Sequence, residues 1–206
     1  MLWNPGFSVK SSQPAKLRGY IRRFWNKSAD HRGTPGYCGL VVCLHATDIA
    51  SDEVSGVLYE FDYCDKSDIL KMLDIREKYG YIRQVSMSYV AGVPFVDSFV
   101  YTACFSDSSI DVFLHPLNGI DNSAAELYEI SKVICTAKGP SGSNIDYLLK
   151  LKKCLDALGI ADTHIDEVYT ISLALMNSLG YFVKATVYTV CAGGYSPVHT
   201  ACPGGD

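Results

Sequence analysis

The chain has 206 residues, 48% hydrophobic and 19% charged, which suffices for one compact domain. Its net charge of −4 lacks the basic excess that nucleic-acid binders carry. No run approaches the roughly 18 uninterrupted apolar residues of a membrane helix, so neither nucleic acid nor membrane is an expected partner. The eight cysteines include no Cys-x-x-Cys pair, and the N-terminus shows no signal-peptide pattern. The expectation is free thiols in a reducing, cytoplasmic compartment, with no metal site and no cofactor.

The first half reads as strands. "LRGYIRRFWN" (residues 17–26), "GLVVCLHA" (39–46), "VSGVLYEFD" (54–62), "YIRQVSMSYV" (81–90) and "SFVYTACFS" (98–106) are short, rich in β-branched and aromatic residues, and separated by Gly, Pro, Asp and Ser. The basic run "KLRGYIRRFWNK" (16–27) predicts strands with Tyr20, Phe24 and Trp25 inward and the arginines outward; a local phosphate or RNA patch is the alternative. "ADHRGTPG" (29–36) is a turn shaped by Gly33, Pro35 and Gly36. Its Arg32 can hold a carboxylate through two parallel hydrogen bonds, or the turn is a solvated hairpin.

"DILKMLDIREKYG" (68–80) predicts a helix capped by Asp65 or Ser67 and stopped by Gly80. At about 100° per residue, Ile69, Leu70 and Leu73 share one arc, and Glu77 falls inside it. Burial and the negative end of the helix dipole both favour the protonated form of a carboxyl group, as general acid–base catalysis near neutrality requires. The alternative is that Glu77 swings to solvent or pairs with Arg76 or Arg83. Asp74 lies at the edge of the arc and only weakly suggests a carboxylate pair.

The second half turns helical. "SAAELYEISKVICTAK" (123–138) opens with a capping box, Ser123 and Glu126. "KGPSGSN" (138–144) lacks the ending of a phosphate loop and the Ser elbow of hydrolases, so Ser141 or Ser143 is expected to cap the next helix. "NIDYLLKLKKCLDALG" (144–159) carries Ile145, Leu148, Leu149, Leu151, Leu155 and Leu158 at helical spacing. "THIDEVYTISLALMNSLG" (163–180) can form a third helix, and the run beginning "YFVKATVYTV" is strand-like. Strands first and helices after suggest an α+β domain with a largely antiparallel sheet, closed or nearly closed into a barrel.

Several segments together resemble the ChaC-type γ-glutamylcyclotransferases: "LWNPGF" (2–7), "GYIRRFWNKSADHRGTPG" (19–36), "GVLYEF" (56–61), "LDIREKYGY" (73–81), "FVYTACF" (99–105) and "GPSGSNIDYLLKL" (139–151). The resemblance covers residues 2–168, and residues 169–206 form an atypical tail. It implies a small mixed β-barrel with surrounding helices, a monomer, and a metal-free cleavage of glutathione to 5-oxoproline and cysteinylglycine. Glu77, in the family's Arg-Glu motif, is implied as the acid–base. Tyr81 and Tyr101 match tyrosines near the pocket. The family's first strand and its Gly-Tyr-Gly-Ser-Leu substrate loop have no counterpart here. Met1 falls at the last Leu of that loop, so Met1 and Leu2 are implied as its remnant. A non-catalytic module that binds γ-glutamyl compounds or a protein is the alternative.

Overall fold

The computed structural model describes residues 5–47, 49–77, 81–103 and 123–178. Strands β1 (Ser11–Arg18) and β2 (Tyr20–Ser28) are separate elements where one strand was expected. Gly19 divides them at φ +75°, a left-handed conformation that residues with a Cβ rarely adopt. Its N–H donates to Asp52 O (2.7 Å), and Thr47 N–H donates to its carbonyl (2.8 Å). Pro14 argues against a strand in the sequence, but β5 reaches β1 only at Lys16 and Leu17, so Pro14 stands at a locally free edge.

Strands β3 (Gly39–Ala46), β4 (Glu53–Glu60), β5 (Tyr81–Val90) and β6 (Val93–Ala103) follow. The order β4-β1-β5-β6 makes one antiparallel sheet, and β2 pairs with β3 in a second ladder. The β5–β6 turn places Ala91 (φ 49°) and Gly92 (φ 81°) both in the left-handed region, the twist that suits a two-residue hairpin. β3 lies beside β6 and β2 beside β4, so the strands enclose a common interior. Among the described residues no ladder joins the two sheets. The α+β expectation holds, and in place of one closed barrel the described strands form two separate sheets that face a common interior.

Helix α1 (Lys66–Arg76) follows a single 3-10 turn; Asp65 is its N-cap position, but the side chain makes no capping bond. Helices α2 (Ala124–Thr136), α3 (Asn144–Ala157) and α4 (Thr163–Ser178) pack together on the β2–β3 ladder. Both expected serine caps form. Ser123 Oγ accepts from Glu126 N–H, and Ser143 Oγ, not that of Ser141, accepts from Asp146 N–H, each at 3.3 Å. Short strands β7 (Lys138–Gly139) and β8 (Gly142–Ser143) make the hairpin between α2 and α3. Helix α4 runs past residue 168 to Ser178. The strand-like run after it, the stop at Gly80, and Met1 and Leu2 lie outside the described residues.

The core joins Phe24, Trp25 and Leu40 to Ile130, Leu148 and Ile165 of the three helices. One expectation is corrected here: Arg22 does not point outward. It is 6% exposed, donates to Asp162 Oδ2 (2.6 Å) and to Ser55 O (2.8 Å), and ties β2 to the approach to α4. The β2–β3 register shifts between Arg23 and Asn26, which takes Phe24 out of the pairing. The displaced Phe24 N–H donates to Nε2 of His164 at 3.1 Å, so a side chain from α4 satisfies a strand irregularity.

Candidate active site

An open cavity of about 1150 Å³ occupies the space between the strands. Glu77, Tyr81, Tyr101, Arg32 and Tyr147 all line it. Met1 and Leu2 are the site expectations that fall outside the described residues.

Glu77 is the C-cap residue of α1 (φ −98°, ψ 22°), and its N–H donates to Leu73 O at 2.8 Å. Ile69, Leu70 and Leu73 are buried, as the arc predicted. Glu77 is half-buried at the end of that arc, where the buried face opens on the cavity. The arginines that could have claimed it are engaged elsewhere. Arg76 Nη1 donates to Pro5 O (2.6 Å), and Arg83 Nη1 donates to both oxygens of Asp74 (3.1 and 2.9 Å). Asp74 does not line the cavity, so a facing carboxylate pair is not formed.

Two phenols are pinned to the outer edge of β3. The Tyr81 hydroxyl donates to Val42 O at 2.8 Å, and Val42 N–H donates to the Tyr147 hydroxyl at 3.4 Å. These side chains occupy backbone groups that a neighbouring strand would otherwise pair. Burial pushes the Tyr81 phenol well above its ordinary value and that of Tyr147 up to about 12. The Glu77 charge adds a smaller upward push on both, which places the three groups in one electrostatic neighbourhood. Tyr101, on β6, donates its hydroxyl proton to Asp74 Oδ1 at 2.6 Å. Burial first, then the Asp74 contact, raises its phenol to about 12.

Arg32 enters from the turn between β2 and β3. That turn is docked, not merely solvated. Ser141 N–H donates to His31 O (3.0 Å), and a Cβ on Gly139 would stand 2.3 Å from the same carbonyl and 2.6 Å from Gly33 N. Asn144, fully buried, accepts from Leu40 N–H (2.6 Å) and donates to Leu40 O (2.7 Å), which locks the α3 start to β3. The hairpin of residues 138–144 thus seats the Arg32 turn. The Arg32 guanidinium lies 5.7 Å from the Tyr147 ring centroid, and Nη1 donates to Ser143 O at 3.2 Å.

The cavity wall thus carries the Glu77 carboxyl, the Tyr81, Tyr101 and Tyr147 phenols and, among its basic groups, Arg32. It can orient a molecule carrying both an amine and a carboxylate, and it offers Glu77 for proton transfer. Sequence reasoning missed Tyr147. The available signal was a hydroxyl-bearing aromatic beside the Ile and Leu stripe of α3.

The family model for ChaC-like proteins matches residues 1–173. The chain is 36% identical over 174 residues to "Gamma-glutamylcyclotransferase 2-3" of Arabidopsis thaliana, covering 82% of each. It is 31% identical over 185 residues to "Glutathione-specific gamma-glutamylcyclotransferase 1" of Danio rerio, covering 87% of this chain and 86% of the other. Its fold is similar to the crystal structure of the yeast γ-glutamyl cyclotransferase specific to glutathione, with a TM-score of 0.71 at 22% identity over 84% of this chain and 92% of that one.

Proposed function

The chain belongs to the ChaC-like family, and on that premise we propose that it cleaves glutathione to 5-oxoproline and cysteinylglycine. The observation that carries the reading is Glu77, set at the end of a buried helical face and opening on a cavity with Arg32, Tyr81 and Tyr101 in its wall. The catalytic role of Glu77 and the binding roles of Arg32, Tyr81, Tyr101, Met1 and Leu2 are part of the proposal.

The reaction needs no water. The α-amine of the γ-glutamyl group attacks the γ-carbonyl of the same molecule. An ammonium has no lone pair, so the Glu77 carboxylate first takes a proton from it. The new C–N bond closes a five-membered ring. Glu77 then returns the proton to the cysteine amide nitrogen as the old C–N bond breaks; the ring nitrogen sheds its second proton, and the released amine takes it up, so cysteinylglycine leaves as an ammonium. Both reactants belong to one molecule, so holding the chain folded back supplies much of the acceleration. Arg32 suits the γ-glutamyl carboxylate, which it can take through its guanidinium fork. The same reading takes the enzyme as a cytoplasmic monomer working without metal or cofactor. Two facts stand beside it: the five cysteines among the described residues, Cys38, Cys43, Cys64, Cys135 and Cys154, are free, and no helix of those residues is long and apolar enough to cross a membrane.

The test is to incubate purified protein with glutathione at neutral pH and measure 5-oxoproline, with Glu77→Gln beside it. Turnover that falls by at least about 10²-fold in the folded variant is expected. Binding without turnover in the wild type would refute the enzyme and favour a γ-glutamyl-binding module.

A further inference from the structure

Asp74 stands outside the cavity wall, one helical turn before Glu77, and its side chain is about half exposed (46%). It nevertheless touches the cavity through Tyr101. The phenol has one proton to give, and that proton goes to Asp74 Oδ1 at 2.6 Å. Arg83, on β5, holds Asp74 by both carboxylate oxygens, so Asp74 is not free to turn away. We propose that Asp74, clamped by Arg83, is a positioning residue that commits the Tyr101 hydroxyl to act towards the cavity only as a hydrogen-bond acceptor, and that Tyr101 therefore binds the α-amine of the substrate and not a carboxylate.

The inference rests on the glutathione reading of this same site and deepens it. A phenol with a free proton serves donors and acceptors alike, so it cannot tell an amine from a carboxylate. A phenol whose proton is already donated can only accept, and a carboxylate offers nothing for it to accept. Asp74 and Arg83 offset each other in charge, so the selection at this corner comes from hydrogen-bond polarity and not from net charge. Tyr81 is committed in the same way, its proton given to Val42 O. Each phenol oxygen also meets a donor, Asn26 at Tyr81 and Arg83 at Tyr101, so one lone pair on each is left to face the cavity that Glu77 also lines. An amine delivered there meets the base that must deprotonate it. The carboxylate is directed to Arg32 by the same exclusion.

The experiment compares glutathione with its des-amino analogue, in which glutaryl replaces γ-glutamyl and only the α-amine is lost. Calorimetry measures both ligands in a Glu77→Gln background, so nothing is consumed, and circular dichroism checks folding. Tyr101→Phe is expected to weaken glutathione binding about tenfold and to leave the analogue within about twofold. Asp74→Leu frees the phenol proton but keeps the oxygen, so it is expected to narrow the preference for glutathione over the analogue by less than Tyr101→Phe does. Asp74→Asn keeps an acceptor oxygen and is expected to restore most of the affinity. Equal losses for both ligands, or no loss for either, in Tyr101→Phe would overturn the inference while leaving glutathione cleavage intact. If Asp74→Leu does not fold, Tyr101→Phe still decides. Folded wild-type protein that neither binds nor turns over glutathione would overturn the functional reading, and this inference with it.

Discussion

Acidifying the solution from pH 7 to pH 5 should cost the fold about 2 kcal/mol through His164 alone. The imidazole is 2% exposed, and its Nε2 accepts the Phe24 N–H at 3.1 Å. Protonating Nε2 would turn that acceptor into a donor facing a donor. Burial first, and the nearby Arg23 charge second, hold its pKa down to about 3. The folded pKa is thus below the unfolded one of about 6.5, so His164 contributes its full stability above that value and loses it as pH falls. The unfolded chain binds a proton between pH 6.5 and 5 that the folded chain refuses. With about 1.4 kcal/mol per pH unit below the unfolded pKa, the loss by pH 5 is about 2 kcal/mol, and it does not depend on how far below 5 the folded value lies. His45, also shifted down by burial and Arg23, is more exposed and adds a smaller loss of the same sign. The assay is urea unfolding at pH 7, 6 and 5 for wild type and His164→Gln, whose amide oxygen can still accept from Phe24 N–H. The variant is expected to be less stable at pH 7 and to show a flatter pH dependence, the difference in slope amounting to about 2 kcal/mol over the range. Parallel curves for the two proteins would refute the account of His164 as a buried, neutral acceptor.

Two further predictions concern the framework of the site. Gly139→Ala sets a Cβ against the backbone of His31 and Gly33, at 2.3 and 2.6 Å, where no flexible side chain can yield. It is expected to lower stability by about 3 kcal/mol and to weaken ligand binding by displacing the Arg32 turn, measured by urea unfolding and calorimetry. Ala91→Asn moves the other way: Ala91 holds φ 49° in the β5–β6 turn, which Asn adopts more readily, and a gain of about 0.5–1 kcal/mol in urea unfolding is expected.

Local signals were legible in the sequence and long-range ones were not. Ser123 with Glu126 and Ser143 with Asp146 are contacts three residues apart, so the starts of α2 and α3 could be read directly. Periodicity alone carried Glu77 onto the buried arc of α1, because Leu70, Leu73 and Glu77 need only the helical repeat to be compared. Arg22 defeats the same logic. A charged residue in an alternating strand is read as solvent-facing, and the partner that keeps it buried, Asp162, lies 140 residues away. Tyr101 and Asp74 are separated by 27 residues across a strand and a helix, so no spacing rule joins them. Resemblance to the family supplied Tyr81 and Tyr101 as pocket residues but said nothing about where their protons go. That direction is what gives the cavity its chemistry. Val42 O and Asp74 take the two phenol protons, which leaves the Tyr81 and Tyr101 oxygens as acceptors in the wall that Glu77 and Arg32 also line. A γ-glutamyl head group carries one donor group and one acceptor group on the same carbon. The proposed orientation sets its amine towards Glu77 and its carboxylate towards Arg32, and it is the one from which ring closure can begin.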